Sequence, residues 1–373
     1  FIYHVAAAPD YGSSGLVLAG SDYYGEALYA SHDGGATWED AQAIAAAGGI
    51  AFSPNFANDQ TLFTAGGTGV SRSLDGAVSW TQVLSTVARS LAISPNFAND
   101  QTLFAGETNA PNTAVFYRSV NGGNSWISRT IAAGVKSINA LAPSPAYAGD
   151  KTLFAGTDAG LYWSTNGGDN WTLIDAYAGQ NVQSLAISPS WPGHAVLLVG
   201  LDEGVFRLLS ADPATGIVRQ ATAHFTALSM NPLSLSGDLL LTAGSNHDVY
   251  ASEDGGASWD SRGLGGGFYS FTEVAASPAY AVDQTLFTAR SRSGAIGGTL
   301  YRSQDGGGSW SGVLSSDLVS DLAISPGFAS DQTLFAATNE KALQQSTDGG
   351  TTWSDVGIWP VSKTGAALQL SLI

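Results

Sequence analysis

An all-β fold of eight four-stranded repeats is predicted by three observations. A polar turn recurs along the chain, a second motif recurs upstream of it, and no segment keeps a helical period. The turn reads SHDGGATW at residues 31–38, then SLDGAVSW, SVNGGNSW, STNGGDNW, SEDGGASW, SQDGGGSW and STDGGTTW. Its opening serines (Ser31, Ser73, Ser119, Ser164, Ser252, Ser303 and Ser346) lie 42 to 51 residues apart, except for a gap of 88 between Ser164 and Ser252. That gap is two periods. The stretch AVLLVGLDEGVFRLLSADPATGIVRQA fills it with two apolar runs and a turn at Ser210, Ala211 and Asp212 that lacks the tryptophan, so the count is eight.

The upstream motif appears in SLAISPNFANDQTLFAG, ALAPSPAYAGDKTLFAG, VAASPAYAVDQTLFTA and DLAISPGFASDQTLFAA. Each repeat therefore carries four short runs, here called A (SLAISP), B (QTLFAG), C (VFYRS) and D (SWISR). Pro, Gly, Asn or Asp bounds each run, which is the pattern of strands and turns. Units of this length with four strands assemble as a β-propeller. A single propeller is expected over residues 1–360, with 361–373 as a tail or extra strand, because GAALQLSLI alternates as strand A does.

Composition agrees with a turn-rich β protein: 44% of residues are apolar, 12% are charged and 46 are glycine. The formal charge of −17 repels phosphate backbones and anionic surfaces, so nucleic acid is excluded as a partner. No apolar run reaches the length of a membrane span. The chain has no cysteine, which excludes disulfides, thiolate metal sites and cysteine nucleophiles. Few lysines and many Gly, Ser, Thr and Asn point to an exported protein, and a start at Phe1 without Met points to a processed chain.

The S-x-D-G-G-x-x-W turn resembles the Asp-box (BNR) repeat. The chain as a whole resembles the propellers built from it, which include sialidases, sortilin-type receptors, xyloglucanases and a photosystem assembly factor. The resemblance implies a propeller with Asp-box turns between strands C and D. It implies no single activity, since these relatives do unrelated things on one architecture. Chemically the box suits a hairpin: Ser and Asp bond to nearby backbone, Gly supplies positive φ, and Trp covers the blade edge. Asp33, Asp75, Asp254, Asp305 and Asp348, with Asn121 and Asn166 in two copies, are thus read as structural, as are Trp38, Trp80, Trp126, Trp171, Trp259, Trp310 and Trp353. The acids before strand B (Asp59, Asp100, Asp150, Asp283 and Asp331) are read as turn caps rather than metal ligands.

If the strands alternate in direction, the box turns share one face with the A–B loops, while the B–C and D–A loops share the other. That second face varies most, with enlarged loops at ETNAPNTAV and ARSRSGAIGG. It collects Asp22, Glu107, Asp158, Asp202, Glu203, Asp248 and Glu340, with His247. These are solvated loop carboxylates or a rim for a cation or sugar, and Tyr177, Phe268 and Tyr269 are candidates to stack on sugar rings. Arg290 and Arg292, with Arg262, are the arginines able to approach one another there. Aligning the A strands on their Ser-Pro ends gives, four residues earlier, His4, Gly49, Ser90, Ala140, Ser184, Ala227, Glu273 and Asp321. The position is small except in units 7, 8 and 1, so His4, Glu273 and Asp321 are candidates to converge as an acid-base group or metal site. The alternative is that strand starts are solvated and tolerate charge.

A sialidase-like site needs three clustered arginines. Arg72, Arg118, Arg207 and Arg302 instead occupy equivalent positions on strand C of different units, and the N-terminal arginine motif is absent. A xyloglucanase-like site needs two carboxylates across a cleft, for which Glu273 with Asp321, or Asp202 with Asp158, are the candidate pairs. The cysteine-rich modules of sortilin-type receptors are missing, and so are the seven-unit count and basic patch of the assembly factor. The expectation is a non-catalytic, extracellular or surface-displayed recognition or scaffolding module. It binds a protein or polysaccharide partner at the B–C and D–A loop face and has no cofactor, calcium being the one candidate ion. A glycoside hydrolase or lyase, and a self-assembling surface-layer or appendage subunit, are the alternatives.

Overall fold

Strand B is the most apolar run of each repeat, and its Phe or Leu side chains have no polar group to keep at the surface. In the computed structural model every residue of this strand is buried in blades 2, 3, 4, 5 and 8 (Leu62–Gly66, Leu103–Gly106, Leu153–Thr157, Leu197–Leu201 and Leu334–Thr338). Strand D lies at the other extreme, with Glu39–Asp40, Ile127–Thr130 and Ser354–Asp355 exposed throughout. From strand B to strand D of these blades burial therefore falls as polarity rises.

The structure describes residues 2–21, 27–43, 49–111, 113–188, 191, 196–201, 204–208, 217–219, 225–230, 240–244, 248–252, 258–264, 269–292, 298–316, 319–338 and 342–356. These form eight four-stranded antiparallel sheets whose strands follow one another in chain order, the blade architecture of a β-propeller. The A strands are Ile2–Ala7, Gly49–Phe52, Ser90–Ile93, Ile138–Pro143, Val182–Ile187, Phe225–Met230, Tyr269–Ala276 and Val319–Ile324. The degenerate fifth repeat forms a full sheet, although its turn around Ser210 to Asp212 lies outside the described residues, as does the tail at 361–373. No helix among the described residues is long and apolar enough to cross a membrane.

The chain divides into two compact units. Gln42–Thr222 holds blades 2 to 5, while Phe1–Ala41 with Ala223–Ile373 holds blades 6, 7, 8 and 1. Within each unit the A strands of successive blades pack side by side, including those of blades 8 and 1. The core lies in the seams between blades. One cluster joins Phe63 of blade 2 to Phe97 and Leu103 of blade 3, another joins Phe104 and Phe116 to Tyr147 and Leu153, and a third joins Tyr11 and Val17 of blade 1 to Phe335 and Leu343 of blade 8. Burial of aromatic faces at these seams is the main force holding neighbouring blades together.

The A–B loops of blades 1, 2, 3, 4, 7 and 8 contain something the sequence did not announce, a single helical turn, as in Phe56–Asp59, Phe97–Asp100, Tyr147–Asp150 and Phe328–Asp331. Four residues are too few to show a helical period. The acid closing the turn accepts from the serine that ends strand A: Ser53 Oγ donates to Asp59 Oδ2 at 2.6 Å, and Thr61 N–H donates to Asp59 Oδ1 at 2.9 Å. The box turn docks on this loop within its own blade, Gly76 N–H donating to Gln60 O at 3.0 Å and Gly122 N–H to Gln101 O at 2.9 Å. Box turns and A–B loops thus share one end of each blade, leaving the B–C and D–A loops at the other.

Candidate functional site

The box turns form a closed hydrogen-bond circuit. Ser31 Oγ donates to Asp33 Oδ1 at 2.8 Å and accepts from Gly35 N–H at 2.8 Å, while Asp33 Oδ1 also accepts from Thr37 N–H at 2.8 Å. Bonds from the Thr37 side chain and backbone hold the Asp33 carboxyl at about 2, and Ser309 and Thr352 do the same for Asp305 and Asp348. In the third copy Ser119 Oγ donates to Asn121 Oδ1 at 3.0 Å and Asn121 Nδ2 donates to Ser125 Oγ at 2.8 Å, so the amide closes the same ring. Asn166 is likewise bonded to Ser164, and Asp75 to Ser73, whereas Asp254 lies outside the described residues. Carboxylates engaged in this way have no spare geometry for acid-base work.

Tryptophans and strand-C arginines extend the box across the seam. Trp126 Nε1 donates to Val83 O of the preceding blade at 2.8 Å, and Trp310 Nε1 to Arg262 O at 2.6 Å. Trp171 sets its edge on Phe116 of the preceding blade, centroids 5.1 Å apart, whereas Trp38 and Trp353 bond back to Gly35 O and Gly350 O of their own turns. In the other direction Arg72, Arg118 and Arg302 each donate Nη1 to a glycine carbonyl in the next blade's turn, Gly122 at 2.6 Å, Gly167 at 2.6 Å and Gly349 at 2.7 Å. Gln345 makes the equivalent bond to Gly34 O between blades 8 and 1. The regular placement of these arginines on strand C is that of a blade-to-blade staple.

On the opposite face the charged rim residues that are described are engaged by the protein itself. Glu107 accepts from Val115 N–H and Tyr117 Oη at 3.0 Å each and from Thr86 Oγ1 at 3.2 Å. Asp248 accepts from Val249 and Leu264 N–H groups and from Ser261 Oγ. Arg290 donates to Leu264 O at 2.9 Å and to Tyr301 Oη at 3.0 Å. Tyr177 is a correction: the short helical turn Asp175–Tyr177 folds its ring inward to 1% exposure, edge-on to Phe206 between blades 4 and 5, where it cannot meet a ligand. Asp22, Asp202, Glu203, His247, Phe268 and Glu340 lie outside the described residues, as do the side chains of His4, Tyr269 and Arg292.

Glu273 and Asp321 are brought together from the A strands of blades 7 and 8, each just after an irregularity in pairing with strand B. Asp321 Oδ2 accepts from Val5 N–H at 3.0 Å and its Oδ1 from Leu322 N–H at 2.8 Å, placing the backbone of blade 1, one residue from His4, against this carboxyl. Both side chains keep some solvent access but sit deep among packed strands. Burial raises Glu273 well above the ordinary carboxylate range, reinforced by the charge of Asp321, and burial raises Asp321 to about 7 despite its two backbone donors. Among the described residues no group of three His, Cys, Asp or Glu side chains is placed to hold a metal ion.

A polar cleft of about 660 Å³ opens on the loop face of blades 3, 4 and 5. Its lining is Asn109, Ala110, Lys136, Ser137, Asn139, Asp158, Asn181 and Gln183. Asn109 N–H donates to Ser137 Oγ at 2.8 Å and Ala110 N–H to Lys136 O at 2.8 Å, which pins the enlarged B–C loop of blade 3 to the connection into blade 4. Asp158 Oδ1 accepts from the N–H groups of Lys136 and Ser137 at 3.0 and 3.1 Å, tying the B–C loop of blade 4 to the same connection. Asn139 Nδ2 bridges to Asn181 Oδ1 at 3.1 Å and Val182 O at 3.0 Å. Of these residues the sequence reading singled out only Asp158. The enlarged loop signalled the place, while isolated amides carry no periodic or motif signal.

No protein-family profile matches the chain. No curated protein matches it in sequence. Solved structures do match, at identities that show the fold alone. An ancestral GH74 enzyme aligns over 99% of this chain and 48% of its own, at 18% identity and a TM-score of 0.56. The GH74 xyloglucanase of Xanthomonas campestris aligns over 80% of this chain and 51% of its own, at 17% identity and 0.57. The extracellular domain of a one-component system of B. thetaiotaomicron aligns over 98% and 53%, at 14% identity and 0.50. The chain thus spans about half the length of each of these three structures.

Proposed function

We propose that this propeller is a non-catalytic recognition module of Asp-box type, extracellular or surface-displayed, working through the face that carries its B–C and D–A loops. The observation that carries this reading is the cleft on blades 3 to 5: it is polar, its walls are held by backbone hydrogen bonds, and it stands on the variable face of a rigid scaffold. Its lining includes one carboxylate, Asp158, whereas glycoside hydrolysis uses two. The Glu273 and Asp321 pair supports an enzyme less well, because Asp321 accepts backbone N–H groups at both oxygens and so serves the seam between blades 8 and 1. Few lysines, many Gly, Ser, Thr and Asn, and the extracellular domain among the structural neighbours support a place outside the cell.

The test is an array of polysaccharides and oligosaccharides probed with the purified chain, with and without calcium, followed by product analysis on every hit. Binding without any shortened product is expected. Released oligosaccharides overturn the non-catalytic reading. A blank array together with a multimeric mass by light scattering overturns recognition in favour of an assembly subunit.

A further inference from the structure

We infer that the cleft on blades 3, 4 and 5 takes an uncharged, hydroxyl-rich ligand, a short glycan segment, and binds it without a metal ion. The inference rests on the recognition reading above and assigns its ligand class and residues.

The polar atoms left over after internal bonding carry the argument. Asn139 spends its Nδ2 on Asn181 Oδ1 and Val182 O. Among the described residues no protein partner is found for Asn139 Oδ1, Asn181 Nδ2, Asp158 Oδ2 or Lys136 Nζ, all of which belong to residues lining the cleft. That leaves two acceptors and two donors around one opening, with the exposed Asn109 amide able to act as either. A sugar hydroxyl both donates and accepts, so vicinal hydroxyls are the chemistry that satisfies alternating amide, carboxylate and ammonium groups at once.

Charge and apolarity exclude other occupants. Lys136 and Asp158 are the two formal charges of the lining and offset one another, and the chain as a whole carries −17, so a polyanion gains nothing on approach. Protein partners bury an apolar, aromatic-rich centre, and this cleft offers Ala110 as its one apolar residue. A hard cation wants six or more oxygens, and one carboxylate with one oxygen already committed to backbone does not supply them. The lining also lacks an aromatic platform, so binding is weak, with Kd of roughly millimolar order for a single site.

The experiment titrates the full chain, followed by NMR, with neutral gluco-, manno-, galacto- and xylo-oligosaccharides and with oligogalacturonate, with and without EDTA. Asn181→Ala and Lys136→Ala are the cleft variants, Leu74→Ser on the box-turn face is the control, and each is checked for an unchanged melting temperature. At least one neutral oligosaccharide is expected to bind. Each cleft variant should weaken it about fivefold to tenfold, as the loss of one or two hydrogen bonds requires. The control and EDTA should leave it unchanged, and oligogalacturonate should not bind.

Preference for oligogalacturonate, loss of binding in EDTA, or affinity indifferent to both cleft variants overturns the inference. In the last case a retained glycan hit leaves the recognition reading standing with its site elsewhere. Cleavage of a bound sugar with affinity that still depends on Asn181 does the reverse, keeping the cleft and overturning the non-catalytic reading.

Discussion

Replacing Asp321 with Asn should relieve a loss of stability that the wild type undergoes as pH rises. The folded-state pKa values of Asp321 and Glu273 are raised above their ordinary values, so the fold favours their protonated forms. Stability from the pair is therefore fully present below about pH 4, where the unfolded chain is also protonated, and is lost as pH rises toward and past about 7. A carboxyl moved from 3.8 to about 7 costs at most about 4 kcal/mol to ionise in the folded state, at about 1.4 kcal/mol per pH unit. Partial solvent access and sharing of one proton between the two groups bring the expected loss to about 2 kcal/mol. The Asp321→Asn variant keeps one acceptor and gives up the other, a cost of about 1 kcal/mol at every pH.

The assay is urea unfolding of both proteins from pH 4 to pH 8. The Asp-box carboxylates near 2 shift in the opposite direction: the stability they contribute is present above about pH 4 and is lost as pH falls through about 2, so they stay silent in this window. The wild type should be the more stable protein at pH 4 and the less stable at pH 8. A stability difference that stays constant across the range refutes the burial argument. A difference that grows in favour of the wild type with pH would mean that Asp321 works as a charged acceptor for Val5.

Two further predictions test the scaffold. Gly69 adopts φ +133°, and a Cβ there runs into the Leu84 carbonyl, so Gly69→Ala should cost about 3 kcal/mol or more; Gly149→Ala, which has open space, should be near neutral, and thermal unfolding of the pair checks both. Arg118 joins blade 3 to Gly167 O at 2.6 Å and to Asp169 at 3.2 Å in blade 4, so Arg118→Ala should cost about 2 kcal/mol in urea unfolding. Arg118→Lys should recover only part of that, because an ammonium cannot reach both acceptors as a planar fork does.

The repeated serines, acids and tryptophans determined most of the architecture by themselves. Ser-x-Asp-Gly turns, unbroken strand-B runs and Ser-Pro strand ends act within about ten residues of one another, and local hydrogen bonding and burial suffice to set them. The same local logic exposed the small-residue position of strand A and its exceptions at His4, Glu273 and Asp321. Tertiary structure alone decided what those exceptions and the other polar residues do. Whether a loop carboxylate is free depends on backbone N–H groups brought from other blades, as Val5 is to Asp321 and Lys136 to Asp158. Whether Tyr177 meets solvent depends on the direction of one short turn, and Asn109, Asn139 and Asn181 line one cleft only because the blades that carry them stand side by side. A periodic chain repeats its covalent grammar, but each seam is packed by two different copies, so the groups left unsatisfied at a surface follow from the pairing of blades.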